Sequence, residues 1–310
     1  MAKISKKDRH LISVTDLTVE EIEKIFALAV ELKRSPSNYR DRLAGKMFGL
    51  IFEKPSTRTW VSFETGIFQL GGSAIYLGPE DMKLGIREEV RDVARVLNRY
   101  LSGVVLRTFA HQIVLEFEKY FDKPVINGLS DFEHPCQALA DYLTIREKVP
   151  NSGKPLVAYV GDGNNVLNSL LLLPAKLGGN FNYATPKKFE PQKKVLDQVM
   201  KIAKLSGAVI RGTHDPVEAV SGADVVYTDV FVSMGEEKMR AEKLKEFEGM
   251  QINEKLMKKA KKGAYVMHCL PAHRGEEITE EVIEGKQSVV FDQAENRLHV
   301  QKAILLHLCS

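Results

Sequence analysis

Short apolar runs alternate with amphipathic stretches along almost the whole chain. In the first half, the runs at 46–52, 73–77, 103–107 and 124–128 have the length and aliphatic content of strands. The second half repeats the rhythm and predicts strands at 156–161, 181–184, 208–212, 224–228, 264–268 and 288–291. Between the runs the period is helical. In EEVRDVARVLNRYL the apolar positions are Val90, Val93, Ala94, Leu97 and Leu101, one face of a helix. Strand alternating with helix predicts right-handed crossovers and mainly parallel sheets. The polar tract REKVPNSGKP, 146–155, holds Pro150, Gly153 and Pro155 and is the expected domain boundary. The fold class is therefore α/β: two doubly wound domains with a cleft between them. The last segment, AENRLHVQKAILLHLC, reads as a closing helix. Ligands of such sheets bind beyond the carboxyl ends of the strands, so the residues after each run hold the candidate chemistry.

After the first run comes Ser56-Thr57-Arg58-Thr59, at the start of a predicted helix. A helix N-terminus offers unpaired N–H groups and a partial positive charge, and hydroxyls with a guanidinium complete a phosphate cradle. A Ser cap with an incidental surface Arg remains the plain alternative. The third run ends on Arg107, a second anion clamp or a surface salt bridge. After the fourth, His134 and Gln137 sit three apart at a helix start, around Pro135. They can donate to a carbonyl or phosphate oxygen, or serve as a cap His and a solvated Gln. Every one of these groups is a donor, which points to an anion with a polarised carbonyl beside it.

The second half opens with Gly161 and Gly163 in a strand-to-helix turn. A dinucleotide fingerprint would place a third glycine where Val166 stands and an acid where the next run ends at Thr185, so that reading is disfavoured. Asn164 and Asn165 read better as polar ligand contacts. Asp229 ends a later run and suits an ammonium group or a turn, and Ser233-Met234-Gly235 follow it. His268 and Cys269 are adjacent, but neighbouring strand residues point to opposite faces and form no nucleophilic dyad. His268 and His273 have poor spacing for a shared metal. Glu295 and Arg297 start the last helix.

Composition narrows the class. A chain of 310 residues is long enough for two cores, and 44% hydrophobic with 27% charged residues is ordinary for a globular protein. A net charge of +3 argues for neither nucleic acid nor membrane as a partner. No apolar run approaches the roughly 20 residues of a membrane span. The opening MAKISKKDRH lacks the apolar core of a signal peptide, so none is expected. Cys136, Cys269 and Cys309 are odd in number and far apart, which suits a reducing cytoplasm without a disulfide framework. No C-x-x-C or H-E-x-x-H metal spacing is present.

Taken in order, these motifs resemble the aspartate/ornithine carbamoyltransferase family over essentially the whole chain. FEKPSTRT resembles the carbamoyl-phosphate loop, and VVLRTFAH and HPCQALADYLTI the remaining contacts to that substrate. GDGNNV, DVFVSMG and HCLPAHRGEE are similar to the amino-acid side, and DQAENRLHVQKA to the closing helix. The resemblance implies a carbamoyl-phosphate-binding domain at 1–148, an ornithine-binding domain at 149–292, and a helix at 293–310 returning to the first domain. It implies carbamoyl phosphate held by Ser56, Thr57, Arg58, Thr59, Lys83, Arg107, His134, Gln137, Cys269, Leu270 and Arg297. Of these, Arg58, Thr59, Arg107, His134 and Cys269 carry the catalytic role. Ornithine falls to Asn165, Asp229, Ser233 and Met234, with Asp229 on the α-ammonium. The implied reaction forms L-citrulline and phosphate, without metal or organic cofactor, in a cytoplasmic homotrimer or a multiple of one, within arginine metabolism. Two positions depart from the pattern. Trp60 stands where the family commonly has an Arg, and Lys83 where ornithine enzymes often have Gln, in a loop that reaches a neighbouring subunit's site.

Overall fold

The computed structural model describes residues 10–149 and 153–309. Nearly all of the opening basic segment, and Pro150 of the expected boundary, lie outside the described residues. Two compact units emerge. One takes the described residues up to Ala140 and from Glu295 onward; the other takes Asp141–Ala294. Both divisions fall inside helices, and the polar tract 146–155 follows the first of them.

In the first unit, α1 (Val19–Arg34) starts at Thr18, whose hydroxyl accepts from the Glu21 N–H while the Glu21 carboxylate accepts from the Thr18 N–H. Its buried residues Ile22, Ile25, Phe26, Ala29 and Leu32 keep the helical period. Four strands follow: β1 (Met47–Phe52), β2 (Ser73–Leu77), β3 (Gly103–Arg107) and β4 (Val125–Leu129). They pair in parallel in the order β2-β1-β3-β4. Every residue of β1 except Met47 is buried, as a central strand covered on both faces requires. The connections carry α2 (Thr57–Gln69), α3 (Pro79–Met82), α4 (Val90–Tyr100) and α5 (His111–Tyr120); α6 (Pro135–Lys148) follows β4. Val90, Val93 and Ala94 are buried as their spacing predicts. From β1 the chain steps outward to β2, then returns past β1 to β3. The carboxyl ends of β1 and β3 therefore flank the switch point where such sheets hold ligands.

The second unit has five parallel strands: β5 (Leu156–Val160), β6 (Asn180–Ala184), β7 (Val209–Thr213), β8 (Val225–Thr228) and β9 (Tyr265–His268), in the order β7-β6-β5-β8-β9. Here the switch point lies between β5 and β8. Its helices are α7 (Asn165–Leu177), α8 (Lys193–Ser206), α9 (Pro216–Val220), α10 (Arg240–Glu246), α11 (Glu254–Met257) and α12 (Glu280–Ile283). The last helix, α13 (Val290–Cys309), begins in this unit and ends in the first.

One expected strand is absent. At 288–291 a single bridge joins Ser288 to Val266, and Val290 already opens α13. Val289 and Val290 are buried, and a short buried helix start has the same apolar signature as a buried strand. The closing helix does return to the first unit. Lys302 Nζ donates to Gln69 Oε1 at 2.8 Å, and the Cys309 carbonyl accepts from Lys46 Nζ at 2.7 Å. Among the described residues no helix is long and apolar enough to cross a membrane.

Candidate active site

At the end of β1 the chain turns into α2, and Ser56 caps it: its Oγ accepts the Thr59 N–H at 3.3 Å. Thr57 and Arg58 are exposed on the first turn, whereas Thr59 is fully buried. Two guanidiniums meet at Thr59. Arg297 Nη2 donates to Thr59 Oγ1 at 2.8 Å, and Arg107 Nη1 approaches the same oxygen at 3.5 Å. With its lone pairs facing two cations, the hydroxyl has its proton left to give away. Arg107 is fixed at the strand end, where its carbonyl accepts the Glu53 N–H at 2.8 Å and the β3–β4 register shifts.

His134 precedes Pro135, the first residue of α6, and its carbonyl accepts the N–H groups of Gln137 and Ala138. The segment before it is tied down. Ser130 N–H donates to the Glu133 carbonyl at 3.0 Å, and Asn127 Nδ2 donates to the Ile12 carbonyl at 2.9 Å. His134 and Gln137 are both buried. Burial, reinforced by the Arg297 and Arg107 cations, holds the His134 imidazole well below its ordinary pKa of 6.5. It is neutral at pH 7. Cys136, beside it, is pushed up to about 12 by burial and is an inert thiol donating to the Asn127 carbonyl.

The second unit builds its own constellation at β5 and β8. Asn164 caps α7, accepting from the Val166 and Leu167 N–H groups through Oδ1. Its Nδ2 donates to Asp229 Oδ2 at 2.8 Å. The other Asp229 oxygen accepts from Cys269 Sγ at 2.9 Å. Burial and then the Asp229 carboxylate push the Cys269 thiol well above its ordinary value, so it stays protonated and acts as a donor. His268 points elsewhere. Its Nδ1 accepts the Leu270 N–H at 2.8 Å, so the proton sits on Nε2, 3.1 Å from the buried Glu277 Oε1. The pair holds the strand end where Leu270 takes a left-handed φ of 55°, a costly conformation for a bulky residue. Ser233 and Met234 lie beyond β8, and the Ser233 N–H donates to Glu236 Oε2 at 3.0 Å.

Residues 9–147 match the family described as "Aspartate/ornithine carbamoyltransferase, carbamoyl-P binding domain", and residues 154–308 its "Asp/Orn binding domain". The chain belongs to the aspartate/ornithine carbamoyltransferase family. It is 50% identical over 305 residues to the ornithine carbamoyltransferase of Methanoculleus marisnigri, covering 98% of this chain and 97% of that one. It is 49% identical to that of Wolinella succinogenes, covering 97% and 98%. The solved ornithine carbamoyltransferase from Pyrococcus furiosus superposes with a TM-score of 0.93 at 48% identity, over 98% of this chain and 97% of that one. The anabolic enzyme from Campylobacter jejuni subsp. jejuni gives 0.93 at 43% identity, over 97% and 98%.

In this carbamoyltransferase the structure brings Ser56, Thr59, Arg107 and Arg297 together, with His134 and Gln137 beside α6's start. Lys83 stands apart. It has a left-handed φ of 41°, and its ammonium lies 3.1 Å from Glu80 Oε2. Trp60 stacks on Tyr76 with ring centres 4.5 Å apart. The glycine pair after β5 has a packing role: a Cβ on Gly163 would come within 2.4 Å of the Phe189 carbonyl oxygen. Sequence reasoning missed Asn164 as the group that orients Asp229, though an Asn at a helix cap opposite a strand-end Asp was the available signal. It also missed Glu277 beneath His268.

Among the described residues of this carbamoyltransferase, two sets of groups have the proximity of metal ligands. Donor atoms of Asp229, His268 and Cys269 lie within 4.8 Å of one another, as do those of His273, Glu276 and Glu277. In the first set the thiol proton is engaged by Asp229 and the His268 lone pair by the Leu270 N–H. In the second, Glu276 is engaged by Arg240 and Glu277 by His268 and the His273 N–H.

Proposed function

We propose that this chain transfers the carbamoyl group of carbamoyl phosphate to the δ-amine of L-ornithine, giving L-citrulline and phosphate. The observation that carries the reading is the convergence of Arg107 and Arg297 on Thr59, at the N-terminus of α2 and with a neutral His134 in the same unit. Identities near 50% to enzymes named ornithine carbamoyltransferase support ornithine as the acceptor.

In this reading Ser56, Thr57, Arg58 and the α2 N–H groups hold the phosphate. Thr59, Arg107 and the neutral imidazole of His134 donate to the carbonyl oxygen, with Gln137 and Arg297 completing the set. The deprotonated amine attacks the carbonyl carbon and forms the new C–N bond. The carbonyl oxygen gains charge, then re-forms its double bond as the bond from the carbonyl carbon to the bridging oxygen breaks, and that oxygen leaves with the phosphate. The surplus proton on the new C–N nitrogen passes to the departing phosphate. Asp229, oriented by Asn164 and Cys269, receives the α-ammonium, and Asn165, Ser233 and Met234 receive the rest of the amino-acid head. Cys269 and Leu270 border the reacting amine; the thiol, being protonated, serves as a donor and not as a base. Residues 1–148 with 293–310 form the carbamoyl-phosphate side and 149–292 the ornithine side. Lys83 joins the set only across a subunit boundary, in a homotrimer or a multiple of one. Three raised or inert thiols and the family's chemistry fit a cytoplasmic enzyme of arginine metabolism.

The test is ureido product formation from carbamoyl phosphate with ornithine, putrescine, N-acetylornithine or aspartate in separate reactions. Product with ornithine alone is expected. Product with a different amine in its place would refute the acceptor.

A further inference from the structure

Lys243 lies on α10, a charged helix that the sequence reading left without a role. Its side chain is 1% exposed. Its ammonium donates to Asp162 Oδ2 at 2.7 Å and to Glu236 Oε2 at 2.6 Å, and stands 5.0 Å from the centre of the Phe189 ring. The same Glu236 oxygen accepts the Ser233 N–H. Asp162 sits in the turn between β5 and Asn164, the residue that orients Asp229. One buried cation therefore joins the segment carrying Ser233 and Met234 to the turn carrying Asn164 and Asn165.

A buried ammonium persists only with charged partners. Burial pulls the Lys243 pKa down, but the Asp162 and Glu236 carboxylates outweigh it and hold the group above its ordinary value. Burial pushes the Asp162 carboxyl up to about 6, against the pull of Lys243 and with the push of Glu236 and Asp229. Removing the cation would leave the buried Asp162 carboxyl and Glu236 Oε2 without the partner they share. The Ser233 segment would then lose its tie to the turn.

We propose that Lys243 is a positioning residue for the amino-acid substrate, setting Ser233 and Met234 against the Asp162–Asn165 turn so that both present their polar atoms together. This rests on the reading that those residues hold ornithine. A merely structural ion pair would affect stability and leave the substrate preference of the two KM values alone.

The experiment is steady-state kinetics with both substrates varied, on wild type, Lys243→Met, Lys243→Arg and Glu236→Gln. Lys243→Met is expected to raise the ornithine KM by roughly 10- to 100-fold, the cost of misplacing a binding group. The carbamoyl phosphate KM, set in the other unit, stays within about twofold. Lys243→Arg restores most of the ornithine KM. If Lys243→Met does not fold, Glu236→Gln carries the test, because its side chain is 38% exposed. It is expected to raise the ornithine KM at least roughly threefold with an unchanged Tm. An unchanged ornithine KM in Glu236→Gln, or both KM values rising alike in Lys243→Met, overturns the proposal. Wild type that binds carbamoyl phosphate but does not carbamoylate ornithine overturns the underlying reading instead, and the proposal with it.

Discussion

Arg297 Nη2 donates a 2.8 Å hydrogen bond to Thr59 Oγ1, across 238 residues of sequence. Both side chains are buried, and the contact joins the last helix to the first turn of α2. Arg297→Ala should leave the Thr59 hydroxyl free to turn and remove a cation from the cradle. A fall in kcat/KM for carbamoyl phosphate of about 10²–10³ is expected. Arg297→Lys should restore little, because a point charge does not reproduce the planar fork. Near-wild-type kinetics in Arg297→Ala would remove Thr59 from the proposed oxyanion role.

The neutral state of His134 gives a signed pH effect. Its folded pKa lies well below the ordinary 6.5 of an unfolded chain. Below pH 6.5 the unfolded state takes up a proton that the folded state refuses, so stability is lost as pH falls, by up to about 1.4 kcal/mol per pH unit. Above 6.5 the group has no effect. Melting curves from pH 7.5 to 5.5 should therefore show wild type losing Tm faster than His134→Gln. Parallel curves would mean that the imidazole titrates normally.

All three thiols titrate above the ordinary thiol range, Cys136 fully buried and Cys269 and Cys309 half-buried. Burial raises Cys136 to about 12 and Cys309 to about 11, and burial with Asp229 raises Cys269 well above its ordinary value. Native protein at pH 7.5 should resist iodoacetamide at every cysteine, and denatured protein should be labelled at all three, by intact mass. Cys269→Ser keeps a donor to Asp229 and should retain activity within about tenfold, whereas Cys269→Ala should lose more. Rapid labelling of Cys269 in the native enzyme would show that its thiol is activated.

Trp60 is the sole tryptophan of the chain and stacks on Tyr76. It adjoins Thr59, so its fluorescence should change when carbamoyl phosphate or phosphate occupies the cradle. A silent titration alongside normal turnover would place the ligand away from α2. Trp60→Ala should cost about 0.5–1.5 kcal/mol of stability beyond lost burial, from the ring pair.

Most of the fold was legible because parallel strands buried on both faces leave uninterrupted apolar runs, as in Phe48–Phe52. The exception, 288–291, has the same apolar content in a helix start, and periodicity over four residues cannot separate the two. The places of Ser56, Arg107 and Asp229 just at or beyond strand ends were legible, because alternating apolar runs fix where each strand stops. Lys243 was not. A lysine in RAEKLKE looks like every solvated lysine around it, and only the fold puts Asp162 and Glu236 on either side of its ammonium. Asn164 was visible as a polar contact, but its grip on Asp229 depends on β5 and β8 being neighbours, which no local pattern records.

The return of α13 to the first unit couples chemistry to the direction of protein synthesis. Strands β1 to β4 leave the ribosome first, yet Thr59 Oγ1 lacks its 2.8 Å donor until Arg297 has been made. A chain that stops before α13 therefore keeps the α2 turn without the guanidinium that bonds Thr59, and that pairing arrives only once the last helix has begun.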